Sequence, residues 1–187
     1  WLNILGKFMH VQVAKRKDPA TGRVSRSSTV IFPRYHQHDA VTTLLADAKE
    51  KGPGQRYLVQ HSAGSGKTNS IAWLSHQLST LHDADSDKVF DSVLVITDRT
   101  VLDDQLQDAI YQIDHKRGVV LPIGQGTGSD FAKRFSSKSQ ALTEALTTGG
   151  AIIVVTIQTV PYALDAIRES KALAGKRGQV FLATKFG

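Results

Sequence analysis

Two stretches of this chain are apolar almost without interruption, Ser92–Thr97 (SVLVIT) and Ala151–Thr156 (AIIVVT). Unbroken runs of this length suit strands covered on both faces. Other segments carry the helical period. Val41, Leu44, Leu45 and Ala48 fall at i, i+3, i+4 and i+7 and predict a helix from Asp39 to Lys51, stopped by Gly52-Pro53-Gly54. Ile71, Leu74, Leu78 and Leu81 line one face of a second helix, ending near His82. Leu102, Leu106, Ala109, Ile110 and Ile113 line a third. Helices are also expected from Gln140 to Gly149 and from Tyr162 to Glu169, the latter with Leu164 and Ile167 inward. Tyr57–Val59, Val119–Ile123 and Gln179–Ala183 are shorter strand candidates, Tyr57–Val59 being the first of the sheet. Leu2–Phe8 predicts a short helix. His10–Val13 and Ser28–Phe32, separated by the turn signal Asp18–Gly22, predict a hairpin. Strands alternating with helices define an α/β fold, a parallel sheet with helices on both faces.

The chemistry concentrates where the strand candidate Tyr57–Val59 meets the helix that starts at Lys67. Between them lies His61-Ser62-Ala63-Gly64-Ser65-Gly66-Lys67-Thr68, in which Ser62–Gly66 are all small. Strand, glycine-rich loop and helix start form a phosphate-binding loop. Gly64 and Gly66 permit positive φ and close approach of backbone N–H groups to a polyphosphate. The helix start adds its dipole. Lys67 can reach the β- and γ-phosphates, and the Thr68 hydroxyl can bind Mg²⁺ carried by the nucleotide. The full pattern places glycine at position 61, where this chain has His61.

Composition adds modest limits. The 187 residues are 41% hydrophobic and 21% charged, enough for one domain with a core of its own. No run is long enough to span a bilayer. The apolar start, Trp1–Phe8, lacks the basic leader and cleavage site of a signal peptide. The absence of cysteine excludes disulfides and thiolate metal sites and fits a cytoplasmic protein. The net charge is +6, with clusters at Lys15, Arg16, Lys17, Arg23, Arg26 and at Lys171, Lys176, Arg177, Lys185. Each cluster alone suits a solvated face; together they are compatible with nucleic acid.

A phosphate loop specifies a ligand but no reaction. Gln37 lies 30 positions before Lys67, after Phe32-Pro33-Arg34-Tyr35. Its amide can pair with an adenine edge, and Arg34 or Tyr35 can stack on the base. The carboxyl end of SVLVIT carries Thr97, Asp98 and Arg99, with Gln105 in the following helix; that of AIIVVT carries Thr156 and Gln158. Ligands of such sheets bind outside these strand ends. Asp98 suits a Mg²⁺-binding carboxylate, while Arg99 and Thr100 suit a phosphodiester backbone. Thr156 and Gln158 suit either a nucleic-acid backbone or capping of the next helix.

In combination, FPRYHQHDAV, YLVQHSAGSGKTNSIAWLSHQL, KVFDSVLVITDRTVLDDQLQDAIYQ and AIIVVTIQTVPYALDAI closely resemble the restriction (R) subunit of type I restriction-modification enzymes, over roughly residues 1–180. That resemblance implies a RecA-like domain, the first motor domain of a superfamily 2 translocase that moves double-stranded DNA at the expense of ATP and Mg²⁺ and is joined to an upstream nuclease. It also implies modification and specificity subunits as partners. By resemblance, Gln37 reads adenine and His61–Thr68 hold the phosphates, with glycine not required at position 61. Thr97, Asp98, Arg99, Gln105, Thr156 and Gln158 face DNA. Residues 1–33 become a helix and hairpin leading from the nuclease, and 34–187 an incomplete motor domain.

One departure from the family is marked. An Asp-Glu-x-His that holds Mg²⁺ is expected after the strand following Gly175-Lys176-Arg177, but no acidic residue follows Glu169. No complete catalytic set is therefore present. The resemblance then implies a truncated or frame-shifted product with half of an ATP site and little activity. Two other readings remain open: a non-catalytic remnant that binds DNA or a partner, and a small-molecule kinase, which would need an arginine-bearing lid.

Overall fold

The computed structural model describes residues 1–17, 19, 21–97, 100–113, 120–123, 137–162, 164–165 and 180–185. The chain opens with helix α1 (Leu2–Lys7) and the antiparallel hairpin of β1 (His10–Lys17) and β2 (Val24–Ile31). Then come α2 (Tyr35–Lys51), α3 (Lys67–Ser79), β3 (Ser92–Thr97), α4 (Thr100–Ile113), β4 (Val120–Ile123), α5 (Lys138–Thr148), β5 (Ile152–Thr156) and β6 (Val180–Lys185). The last four strands form one sheet in the order β4-β5-β3-β6, and every pair is parallel. This is the α/β class that the alternating pattern predicts.

The two apolar runs take the inner positions, β5 and β3, as covered strands must. Alternation divides their side chains between two cores. Val93, Val95, Ile152 and Val154 join Val41, Trp73, Leu78, Leu106 and Ile110 on one face. Leu94, Ile96, Ile153 and Val155 join Ala141, Leu142 and Ala145 of α5 on the other. Each fully buried aliphatic side chain contributes about 1.5–3 kcal/mol relative to an exposed one. Helices on both faces follow from that division.

The N-terminal elements dock on the first of these cores. Phe8 is buried, with its ring centroid 5.6 Å from that of Trp73. His10 meets Trp73 edge-on at 5.8 Å. The backbone N–H of Val13 donates to Gln112 Oε1 at the end of α4, at 3.0 Å.

Three local expectations need correction. Tyr57–Val59 is no strand of the sheet: it carries no strand assignment, and Leu58 is 89% exposed. Its anchor is instead Tyr57 Oη, which donates to Asp47 Oδ2 of α2 at 2.5 Å. Lys51 pairs with the same carboxylate. Desolvation and then Asp47 push the Tyr57 phenol up to about 12. The hydrogen bonds from Lys51 and Tyr57 hold the Asp47 carboxyl below its usual range. A strand needs a ladder partner, and a local apolar run does not contain one. Second, Leu164 is 43% exposed rather than inward, whereas Ile167 lies outside the described residues. Third, α2 begins at Tyr35, four residues before the expected start at Asp39, because Gln37 caps it.

Candidate nucleotide site

Two segments far apart in sequence build the site, the loop His61–Gly66 with the start of α3, and the first turn of α2. Gly64 and Gly66 have φ of 74° and 83°, in the left-handed region that glycine enters without a side-chain penalty. Gly66 is the N-cap of α3, and no side chain caps it. The Asn69 and Ser70 N–H groups both donate to the Gly66 carbonyl, at 3.1 and 3.4 Å, and the positive end of the helix suits an anion. Thr68 lies in the first turn.

Gln37 spans the two segments. It is 4% exposed, and its Nε2 donates to the carbonyls of Ser65 at 3.2 Å and Gly66 at 2.9 Å. Its Oε1 accepts from the Arg34 backbone N–H at 2.8 Å, closing the start of α2. His36 Nε2 lies 3.1 Å from the same Ser65 carbonyl, which only accepts, so this nitrogen carries a proton. Two consecutive side chains thus grip the crest of the loop. Both amide hydrogens of Gln37 are donated to loop carbonyls.

Position 61 needs no glycine. Among the described residues Ser86 is the only non-glycine with positive φ, so His61 sits in ordinary backbone. Its carbonyl accepts from Lys67 Nζ at 3.1 Å, a role open to any residue. Its ring stands edge-on to His36, with centroids 4.9 Å apart.

A cleft of about 380 Å³ opens beside the loop, lined by Val30, Ile31, Phe32, Arg34, Gln37, Ser65, Gly66 and Asn69. Its walls are mixed, with apolar groups from the end of the hairpin and polar groups from α2 and the loop. Of the two stacking candidates, Arg34 lines the cleft. Tyr35 is 84% exposed and lies outside the lining. Ser62 and Ala63 are exposed on the loop, while Ser65 is buried with an unpartnered hydroxyl. Sequence reasoning missed His36, Val30, Ile31 and Asn69. Only adjacency to Gln37 could have signalled His36.

The second predicted group is partly assembled. Thr97 and Thr156 are direct register partners at the carboxyl ends of β3 and β5. The Thr97 hydroxyl is buried without a partner. Thr156 Oγ1 lies 3.2 Å from Thr159 Oγ1, and the Ile157 N–H donates to the Thr97 carbonyl at 2.8 Å. Gln158 is exposed, and Gln105 lies in α4. Asp98 and Arg99 lie outside the described residues. Among the described residues no group of three or more His, Asp or Glu could hold a metal ion.

Substitution of Gly66 should separate two effects. A Cβ there would collide with Gln37 Nε2, and the backbone is left-handed as well. At Gly64 the space is open and only φ opposes a side chain. Gly66→Ala should cost about 2–3 kcal/mol in urea unfolding, and Gly64→Ala about 1. Equal costs would mean that Gln37 does not sit against the loop in solution.

A parallel sheet with a glycine loop entering a helix defines a phosphate-loop nucleotide-binding domain. Residues 36–183 match the SWI2/SNF2 ATPase family, and the chain belongs to it. It is therefore a superfamily 2 helicase-like motor domain that binds ATP. No curated protein and no solved structure matches the chain. No described helix is long and apolar enough to cross a membrane.

Proposed function

We propose that this chain is the first motor domain of a type I restriction enzyme R subunit, a cytoplasmic component of an ATP-driven translocase of double-stranded DNA. The observation that carries this reading most is the grip of Gln37 on the Ser65 and Gly66 carbonyls, which joins the FPRYHQ block to the phosphate loop. The family match supports the motor class. The four ordered sequence blocks support the restriction subunit within that class. In this reading ATP and Mg²⁺ bind at the loop and Thr68, while Arg99 and Gln158 follow the DNA backbone and the buried Thr97 and Thr156 shape the strand ends beside them in sequence. The modification and specificity subunits are the protein partners.

In this reading the phosphate loop and Gln37 form half of an ATP site, since the 187 residues contain no Asp-Glu-x-His. No carboxylate follows Glu169, and an arginine finger supplied by a second domain is typically worth ~10³–10⁵ in rate. Purified chain should bind a fluorescent ATP analogue with Mg²⁺ saturably, yet hydrolyse ATP no faster than buffer, with or without duplex DNA. DNA-stimulated turnover near 1 s⁻¹, about the low end for a complete phosphoryl-transfer site, would sink the half-site reading. Folded chain that fails to bind the analogue would sink the nucleotide site itself.

A further inference from the structure

The hairpin reaches beyond the core that holds its root. At the root, His10 packs on Trp73, Ile31 joins the core and Val13 is tied to α4. Residues 15–26, the distal part, carry Lys15, Arg16, Lys17, Arg23 and Arg26 against the single acid Asp18. That is a net +4 of the +6 on the whole chain, so two-thirds of the charge excess lies on one ribbon tip. Arg23 and Arg26 are exposed, and neither forms an ion pair with any described residue.

Register makes this arrangement costly to the ribbon itself. Lys15 is the direct cross-strand partner of Arg26, and like charges placed opposite each other destabilise a pair. Val11, Val13, Val24 and Val30 share one face of the ribbon. These valines are 40–61% exposed, so this face is turned from the core. Two-stranded ribbons are marginal alone. A tip that concentrates like charge suits an anionic partner rather than its own stability.

We propose that the β1–β2 ribbon is a second, sequence-independent contact for duplex DNA, made to the phosphodiester backbone. The choice of DNA as the polyanion rests on the motor reading above; the placement on the ribbon does not. Ser27, Ser28 and Thr29 add hydroxyls next to the cations, the donor types that hold phosphate oxygens. Residues 15–29 contain no aromatic side chain on which an unpaired base could stack. They also contain no Asn or Gln to pair with an adenine edge. A two-stranded ribbon fits the B-form major groove, about 12 Å wide. Four residues of strand span ~13 Å, enough to reach phosphates on both sides.

The test is fluorescence anisotropy of the full chain with a labelled duplex of arbitrary sequence, over a range of salt. The variant Lys15→Gln/Lys17→Gln/Arg23→Gln/Arg26→Gln should bind about tenfold more weakly or worse at low salt. Its log–log salt slope should be shallower by about 0.9 for each phosphate that the ribbon no longer neutralises. The pair Arg23→Gln/Arg26→Gln, confirmed folded by circular dichroism, should give a smaller change in the same direction. Unchanged affinity and slope in both variants would overturn the ribbon contact, and would leave the motor-face contact standing if Arg99→Ala still weakens binding. Weaker binding by the ribbon variants with no change in Arg99→Ala would uphold the ribbon and remove the strand-end contact. Absence of any duplex binding by the unaltered chain would overturn both. Tighter binding of a single strand, or equal competition by polyglutamate at matched charge, would overturn the assignment to duplex backbone.

Discussion

Lys67→Ala should lower affinity for an ATP analogue by about 100-fold or more while leaving the fold intact. The ammonium is the group placed to meet the β- and γ-phosphates, and truncating one partner of a desolvated charge pair costs about 2–5 kcal/mol, with ~3 kcal/mol equal to the stated factor. In the free chain, Lys67 Nζ gives a hydrogen bond to the His61 carbonyl at 3.1 Å, an interaction the nucleotide must replace. Its removal touches no core residue, so urea unfolding should shift by no more than about 0.5–1 kcal/mol. Titration of the fluorescent analogue against both proteins, alongside unfolding curves, checks the result. Retained affinity would mean that the phosphates bind elsewhere. Loss of affinity together with loss of fold would be uninformative about the charge, so Lys67→Gln, which keeps most of the stem, is the companion variant. It should match Lys67→Ala in affinity if the charge is what matters.

The largest effect on stability is expected at Trp73, the biggest fully buried side chain. It joins α3, which begins at the phosphate loop, to Phe8 at the end of α1 and to His10 at the start of the hairpin. Truncation of a buried tryptophan to alanine costs about 3–5 kcal/mol through reduced burial and the cavity left behind. One feature reduces that figure here. The Trp73 Nε1–H is buried without an acceptor, and removing an unmet donor returns about 1–3 kcal/mol. Trp73→Ala should therefore destabilise by ~2–3 kcal/mol in urea unfolding followed by circular dichroism. Trp73→Phe, which discards the donor and keeps an aromatic ring, should cost under about 1 kcal/mol. A near-zero cost for Trp73→Ala would show that α1 and the hairpin do not dock on α3 in solution. The same variant should then also leave ribbon-dependent DNA binding untouched.

What the pattern of residues revealed depended on range. SVLVIT and AIIVVT could be placed at the sheet centre because a strand covered on both faces must be apolar at every position. The loop from His61 to Thr68 was legible for the same kind of reason: its glycines, lysine and threonine act within one turn of backbone. Gln37 was legible as a candidate, but its partners were not. Its amide faces loop carbonyls 28 and 29 residues away, a pairing that no local rule contains. The cleft wall of Val30, Ile31 and Phe32 was hidden likewise, since it arises where the end of the hairpin comes to lie beside a loop distant in sequence. Tyr57–Val59 shows the opposite failure. Its run has the composition of a strand, yet Tyr57 is tied to Asp47 and its neighbours remain exposed.

Neighbouring residues were therefore enough to set the class of fold, the inner strands, the phosphate loop and the charge excess near the N-terminus. Packing between distant segments settled the rest. It set Gln37 and His36 on the loop's crest, Lys67 on the carbonyl of His61, and Lys15 opposite Arg26 on a ribbon rooted beside the nucleotide cleft. Those outcomes depend on which distant surfaces bury each other, and burial is a property of the packed chain rather than of any window along it.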